Sequence, residues 1–142
     1  KILSIVSPVY NEAENLGEFY LRVINATDNL NLEIEIIYIN DGSQDSTIDI
    51  ITKQRQIDNR ITIIDLSRNF GKEIALTAGL DYSSGDAVIV IDADLQDPPE
   101  LIPKLVEKWR EGYDVVNAKR IKRKGESLLK KVMAILNRIV LQ

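Results

Sequence analysis

The chain has 142 residues, 18 Lys+Arg against 22 Asp+Glu, one Trp, and neither His nor Cys. That length suits one α/β domain with a sizeable core, and 44% hydrophobic with 28% charged content marks it as globular. Without His or Cys there is no imidazole base, thiol nucleophile, disulfide or His/Cys zinc site. Carboxylates, Lys/Arg, hydroxyls, backbone and a hard, oxygen-loving metal are what remain.

Apolar runs alternate with helical patterns along the chain. A strand is expected over 2–6, stopped by Ser7-Pro8, then a helix over 13–29. A second strand over 34–39 ends in the turn Asn40-Asp41-Gly42-Ser43, and a helix over 46–57 follows. A third strand over 61–66 leads through Ser67–Gly71 into a helix ending near Ser83-Ser84-Gly85. The all-apolar fourth strand, 87–91, reads as central and covered on both faces. Pro98-Pro99 opens a helix to about 111, and a fifth strand is expected over 113–118. Strand–helix alternation of this kind implies a mostly parallel, doubly wound sheet with its strand-end loops on one edge.

Charge is unevenly spread. Residues 1–118 carry 10 basic and 21 acidic side chains, whereas 119–142 carry 8 basic and 1 acidic. The sequence therefore divides into a core over 1–118 and a basic segment over 119–142. From Ser127 the stripe Leu128, Val132, Ile135 and Ile139 reads as an amphipathic helix over 127–141. Such a helix either lies in a membrane interface or packs on a core. No apolar run approaches a membrane span. A chain starting at Lys1 and stopping at Gln142 inside an apolar pattern reads as part of a longer protein.

The unusual residues follow the strands. In extended backbone Asp92, Asp94 and Gln96 project to one side and offer three oxygen ligands to a cation such as Mg²⁺ or Mn²⁺. Asp97 suits an N-cap ahead of Pro98. Asp41 is either a turn residue or an acceptor for a nucleobase N–H. Pro8 and Glu12 suit a strand stop and a helix start, and Tyr10 is a rim residue or a stacking platform. Gly71 permits close approach, and Lys72 at a helix start can meet a phosphate or simply cap. Arg120, with Arg123 nearby, suits bidentate phosphate binding. No G-x-G-x-x-G follows the first strand, which counts against a dinucleotide site.

Four segments in order, Pro8-Val9-Tyr10-Asn11-Glu12, Asn40-Asp41-Gly42-Ser43, Ser67-Arg68-Asn69-Phe70-Gly71-Lys72-Glu73 and Asp92-Ala93-Asp94-Leu95-Gln96-Asp97-Pro98-Pro99-Glu100, carry a resemblance. Together they resemble the family 2 glycosyltransferases of polyisoprenyl-phosphate type, the group that includes dolichol-phosphate mannosyltransferase and bactoprenol glucosyltransferase. The resemblance implies a GT-A, Rossmann-like fold that binds a nucleotide-diphosphate sugar. It puts Pro8, Tyr10, Glu12 and Asp41 at the nucleoside, with Lys72 and Ala93 also on the nucleotide. Asp92, Asp94 and Gln96 match the metal positions, with Mg²⁺ or Mn²⁺ expected. Arg120 matches an acceptor-phosphate arginine and Arg123 an acceptor loop, and Asp94 and Arg120 are the implied catalytic pair. The family commonly has two aspartates before Gly-Ser; here the first is Asn40.

The implied reaction moves a hexose, with inversion, from a UDP-glucose-like donor to a polyisoprenyl phosphate at the cytoplasmic face of a membrane. An anionic phosphate acceptor needs no strong base, so the absence of His is no obstacle. Nucleic acid is not an expected partner, and a homo-oligomer is left open. Two alternatives stand beside this: a polysaccharide-elongating family 2 enzyme, and a non-catalytic module that binds nucleotide sugar.

Overall fold

The computed structural model describes residues 1–113, 115–121 and 131–137. The elements run β1 Ile2–Val9, α1 Leu16–Thr27, β2 Glu33–Asn40, α2 Thr47–Ile57, β3 Ile61–Asp65, α3 Lys72–Tyr82 and β4 Ala87–Val90. A 3₁₀ turn over Pro99–Leu101 precedes α4, Ile102–Arg110, and then come β5, Val115–Ile121, and β6, Lys131–Asn137. Two compact units result, Lys1–Glu100 and Leu101–Gln142. The boundary suggested by charge, 118/119, falls inside β5.

In the first unit β1 to β4 form one parallel sheet in the order β3-β2-β1-β4. β1 and β2 bury apolar side chains on both faces because both faces are covered. Val6, Ile37 and Ile39 pack with Ala75 of α3 in one buried cluster. α3 approaches so closely that a Cβ on Gly79 would lie 2.5 Å from Ile39 Cδ1 and 2.6 Å from Val6 Cγ1. The opposite face holds Tyr38, whose ring lies 6.4 Å from that of Phe19 in α1. The Tyr38 hydroxyl donates to Gln54 Oε1 in α2, and Gln54 Nε2 donates to the Leu16 carbonyl. Burying two polar groups there is tolerable because each finds a partner.

Several expectations change. Pro8 does not stop β1, which continues to Val9 paired with Asn40. Ile91 N–H donates to the Val6 carbonyl and Asp41 N–H to that of Val9. Alternation then turns the Pro8 nitrogen toward β4, beyond the last β1–β4 pair, Val6 with Val90. The missing N–H therefore costs no bond to β2, and it ends the β1–β4 ladder while β1–β2 continues. Among the described residues β4 is a terminal strand of this sheet rather than a central one, with Val88 38% and Val90 45% exposed. A short apolar run does not distinguish the two positions.

In the second unit the fifth strand pairs antiparallel with β6 in a separate two-stranded sheet, from Val115 opposite Asn137 to Ile121 opposite Lys131. Lys131–Asn137 is thus a strand, not part of a helix over 127–141. The unbroken apolar run Val132–Leu136 satisfies either period, and long-range pairing decides. Among the described residues no helix is long and apolar enough to cross a membrane.

Candidate functional site

β1, β2, β3 and β4 end on one edge, because all four are parallel and closely in register. β2 and β3 are laid down on one side of β1, and β4 returns to the other. The strand order therefore reverses between β1 and β4, where ligands of open α/β sheets bind. Pro8, Tyr10, Glu12, Asp41, Lys72, Asp92, Ala93, Asp94 and Gln96 all follow or end these strands, or lie at the α3 start. The topology thus gathers nine of the expected residues at one edge. Arg120 lies within β5 of the second unit rather than after it, and Arg123 lies outside the described residues.

The loops at this edge are tied together by side chains. Asn11 adopts φ +52° and donates its N–H to Ser43 Oγ (3.0 Å), while its Oδ1 accepts from Gln44 N–H (2.8 Å). Glu12 N–H donates to Thr47 Oγ1, and Ala13 N–H to Asp45 Oδ2. Burial opposes the Asp45 charge, but hydrogen bonds from Thr47 and Ala13 outweigh it and hold the carboxyl below its ordinary range. Ser43 is therefore a clamp on the first loop. Asn, Ser and Asp are residue types that bond neighbouring backbone this way, but sequence alone does not say which loop they reach.

Asp41 is 4% exposed. Its Oδ1 accepts Phe70 N–H (2.8 Å), its Oδ2 accepts Gly71 N–H (3.1 Å), and its carbonyl accepts Asn69 Nδ2 (3.0 Å). Asn69 had no expected role; its amide following Arg68 was the available signal. Gly71 serves through φ +101° rather than through close approach, since a Cβ there would meet nothing within 4 Å. The close approach belongs to Gly42, at φ +72°, whose Cβ position lies 2.3 Å from the Asn69 nitrogen. The Arg68 guanidinium sits 4.3 Å from the Phe70 ring centroid, a cation–π distance. Asn40 Nδ2 donates to Asp65 Oδ1 (2.9 Å), which gives an amide rather than a carboxylate a reason at that position.

The β4 loop departs from the extended form. Ala93 and Asp94 lie in a turn and Leu95 has φ +66°, so strand alternation does not align Asp92, Asp94 and Gln96. Asp94 Oδ1 accepts Gln96 N–H (3.0 Å), closing that turn. Lys72 Nζ lies 2.6 Å from Asp92 Oδ2, so an ammonium already occupies one acidic oxygen. Among the described residues no group of three or more Asp, Glu, His or Cys could hold a metal alone. Two aspartates and an amide still fit a hard cation, since Mg²⁺ commonly takes one or two carboxylates and completes its shell with substrate phosphate and water. Glu100, beyond this loop, pairs with Arg22 of α1 at 2.7 Å.

A parallel sheet with helices on both faces, and solved structures of the same architecture, make this an α/β fold of the GT-A class. A mannosyltransferase from Pyrobaculum calidifontis, solved with GDP-Man and Mn²⁺, shares this fold at TM-score 0.69 and 24% identity, over 85% of this chain and 35% of that one. S. aureus TarS 1–349, solved with UDP, matches at TM-score 0.57 and 26% identity, over 66% of this chain and 28% of that one. The model of the family described as glycosyl transferase family 2 matches residues 4–138, and the chain belongs to that family. An uncharacterized glycosyltransferase of Bacillus subtilis, YkcC, is 53% identical over 94% of this chain and 41% of its own length. The bactoprenol glucosyl transferase of Shigella phage SfV is 49% identical over 93% of this chain and 43% of its own. The chain thus spans about two-fifths of the length of these curated relatives.

Proposed function

We infer that this chain is the donor-binding core of an inverting, metal-dependent glycosyltransferase. It moves a hexose from a UDP-glucose-like donor to a polyisoprenyl phosphate at the cytoplasmic face of a membrane. The observation that carries the reading is the pair Asp92 and Asp94 at the β1/β4 switch, with the Lys72 ammonium on Asp92. The half-identical bactoprenol glucosyl transferase supports the glucosyl donor and the lipid acceptor.

Tyr10, 47% exposed, offers a face to the base, beside Pro8, Glu12 and Asp41. Lys72 and the Ala93 segment meet the phosphates. Asp92, Asp94 and Gln96 hold Mg²⁺ or Mn²⁺, which when bound neutralises charge on the leaving diphosphate. Arg120 and Arg123 orient the acceptor phosphate, whose oxygen is anionic near neutral pH and attacks without a base. One displacement inverts the anomeric centre.

The test uses the full-length protein in membranes with labelled UDP-glucose and a polyprenyl phosphate. A lipid-linked monoglucosyl phosphate of inverted configuration, abolished by Asp94→Asn, is expected. Label in a growing polysaccharide, or turnover unchanged by the substitution, would overturn the reading.

A further inference from the structure

The Asp41 carboxylate is almost wholly buried, and each of its oxygens holds a successive backbone N–H of the β3–α3 loop. The second of those amides belongs to Gly71, the N-cap of α3, held at φ +101° and ψ 157°. That backbone conformation is open only to glycine, the residue that loses most freedom when fixed, so an external grip is needed to hold it. Lys72 follows directly, and its ammonium reaches Asp92. The grip, the helix start and the lysine thus form one covalent and hydrogen-bonded line from the end of β2 to the end of β4.

We propose that Asp41 is a positioning residue: by clamping the Phe70 and Gly71 amides it fixes the start of α3 and aims Lys72 at the donor's diphosphate. The inference rests on the donor-binding reading above, and it gives the Asp41 side chain a task separate from touching the base. A carboxylate is required because it presents two acceptor oxygens to two adjacent donors. Asparagine keeps one acceptor and turns a donor toward the other N–H. The clamp is also charge-assisted, which makes it stronger than a neutral pair of bonds. α3 is otherwise anchored further along, by Ala75 and Gly79 against the sheet, so loss of the clamp releases the first turn without undocking the helix.

The experiment titrates uridine and UDP, with Mn²⁺, into the unsubstituted protein, Asp41→Asn, Lys72→Met and the double variant. Amide exchange is followed in parallel. Positioning predicts that Asp41→Asn lowers the UDP-to-uridine affinity ratio about tenfold, as Lys72→Met does, and that the double variant is no worse than either. Equal weakening of uridine and UDP by Asp41→Asn, or additive effects with Lys72→Met, would overturn the proposal. If the unsubstituted protein binds neither ligand, the donor-binding reading falls and exchange alone decides the clamp. Faster exchange at Phe70 and Gly71 in Asp41→Asn, with β1 and β2 still protected, supports it; unchanged protection refutes it.

Discussion

Gly42→Ala tests how tightly the β2 and β3 loops are joined. An alanine at φ +72° costs about 1–2 kcal/mol from backbone strain alone. Its Cβ would also lie 2.3 Å from Asn69 N, 2.6 Å from Arg68 C and 3.0 Å from Asn69 Cα. All three atoms are main chain, so no side-chain rotation relieves the clash. The loops must part by roughly 1 Å to restore ordinary contact. That motion stretches the bonds from Phe70 N–H, Gly71 N–H and Asn69 Nδ2 to Asp41, now 2.8, 3.1 and 3.0 Å. Losing one or two of these, in part charge-assisted, adds about 2–3 kcal/mol. The expected total is about 3–5 kcal/mol, a large part of a typical domain's stability. Equilibrium urea unfolding at pH 7 measures it, with Gly17→Ala as the control. Gly17 lies in α1 with nothing within 4 Å of its Cβ position, so that change should stabilise by about 0.5–1 kcal/mol. A Gly42→Ala loss under about 1 kcal/mol would refute the description of the loop junction.

Two further predictions concern charge. The bidentate Arg60 contact, helped by the Tyr20 hydroxyl, holds the Asp58 carboxyl well below the usual aspartate range, against the effect of burial. A depressed folded pKa gives stability that is present above the unfolded value, about 3.9, and lost as pH falls below it. Asp58→Asn should therefore cost on the order of 2 kcal/mol at pH 7, with the gap from the unsubstituted protein narrowing below about pH 4 in denaturation curves. Asn40→Asp places a second carboxylate where an amide now donates to Asp65 at 2.9 Å. Thermal melts at neutral pH should show a loss of about 1–3 kcal/mol; an unchanged melt would contradict that pairing.

The parallel core was legible because Val6, Ile37 and Ile39 on one face and Ile5, Ile36 and Tyr38 on the other leave β1 and β2 no polar side. The switch between β1 and β4 could be anticipated from the clusters after those strands. What sequence could not show was set by contacts between distant segments. Pro8 stands inside β1 because its nitrogen faces the side where pairing ends, a fact of register rather than of propensity. Lys131–Asn137 became a strand through pairing with β5, although its apolar spacing also suits a helix. Asp41 announced itself as an edge carboxylate, but its engagement with Phe70 and Gly71 is separated by 29 and 30 residues. The alignment of Asp92, Asp94 and Gln96 failed at Leu95, whose left-handed backbone no side-chain pattern signals.

The most direct test of the account is calorimetric titration of the protein with UDP, with and without Mn²⁺, beside the Asp94→Asn variant. The account predicts UDP binding that Mn²⁺ strengthens, with the strengthening lost in the variant. UDP binding equally tight with and without Mn²⁺ in both proteins, or no binding by a folded protein, would contradict a metal-assisted donor site at the end of β4.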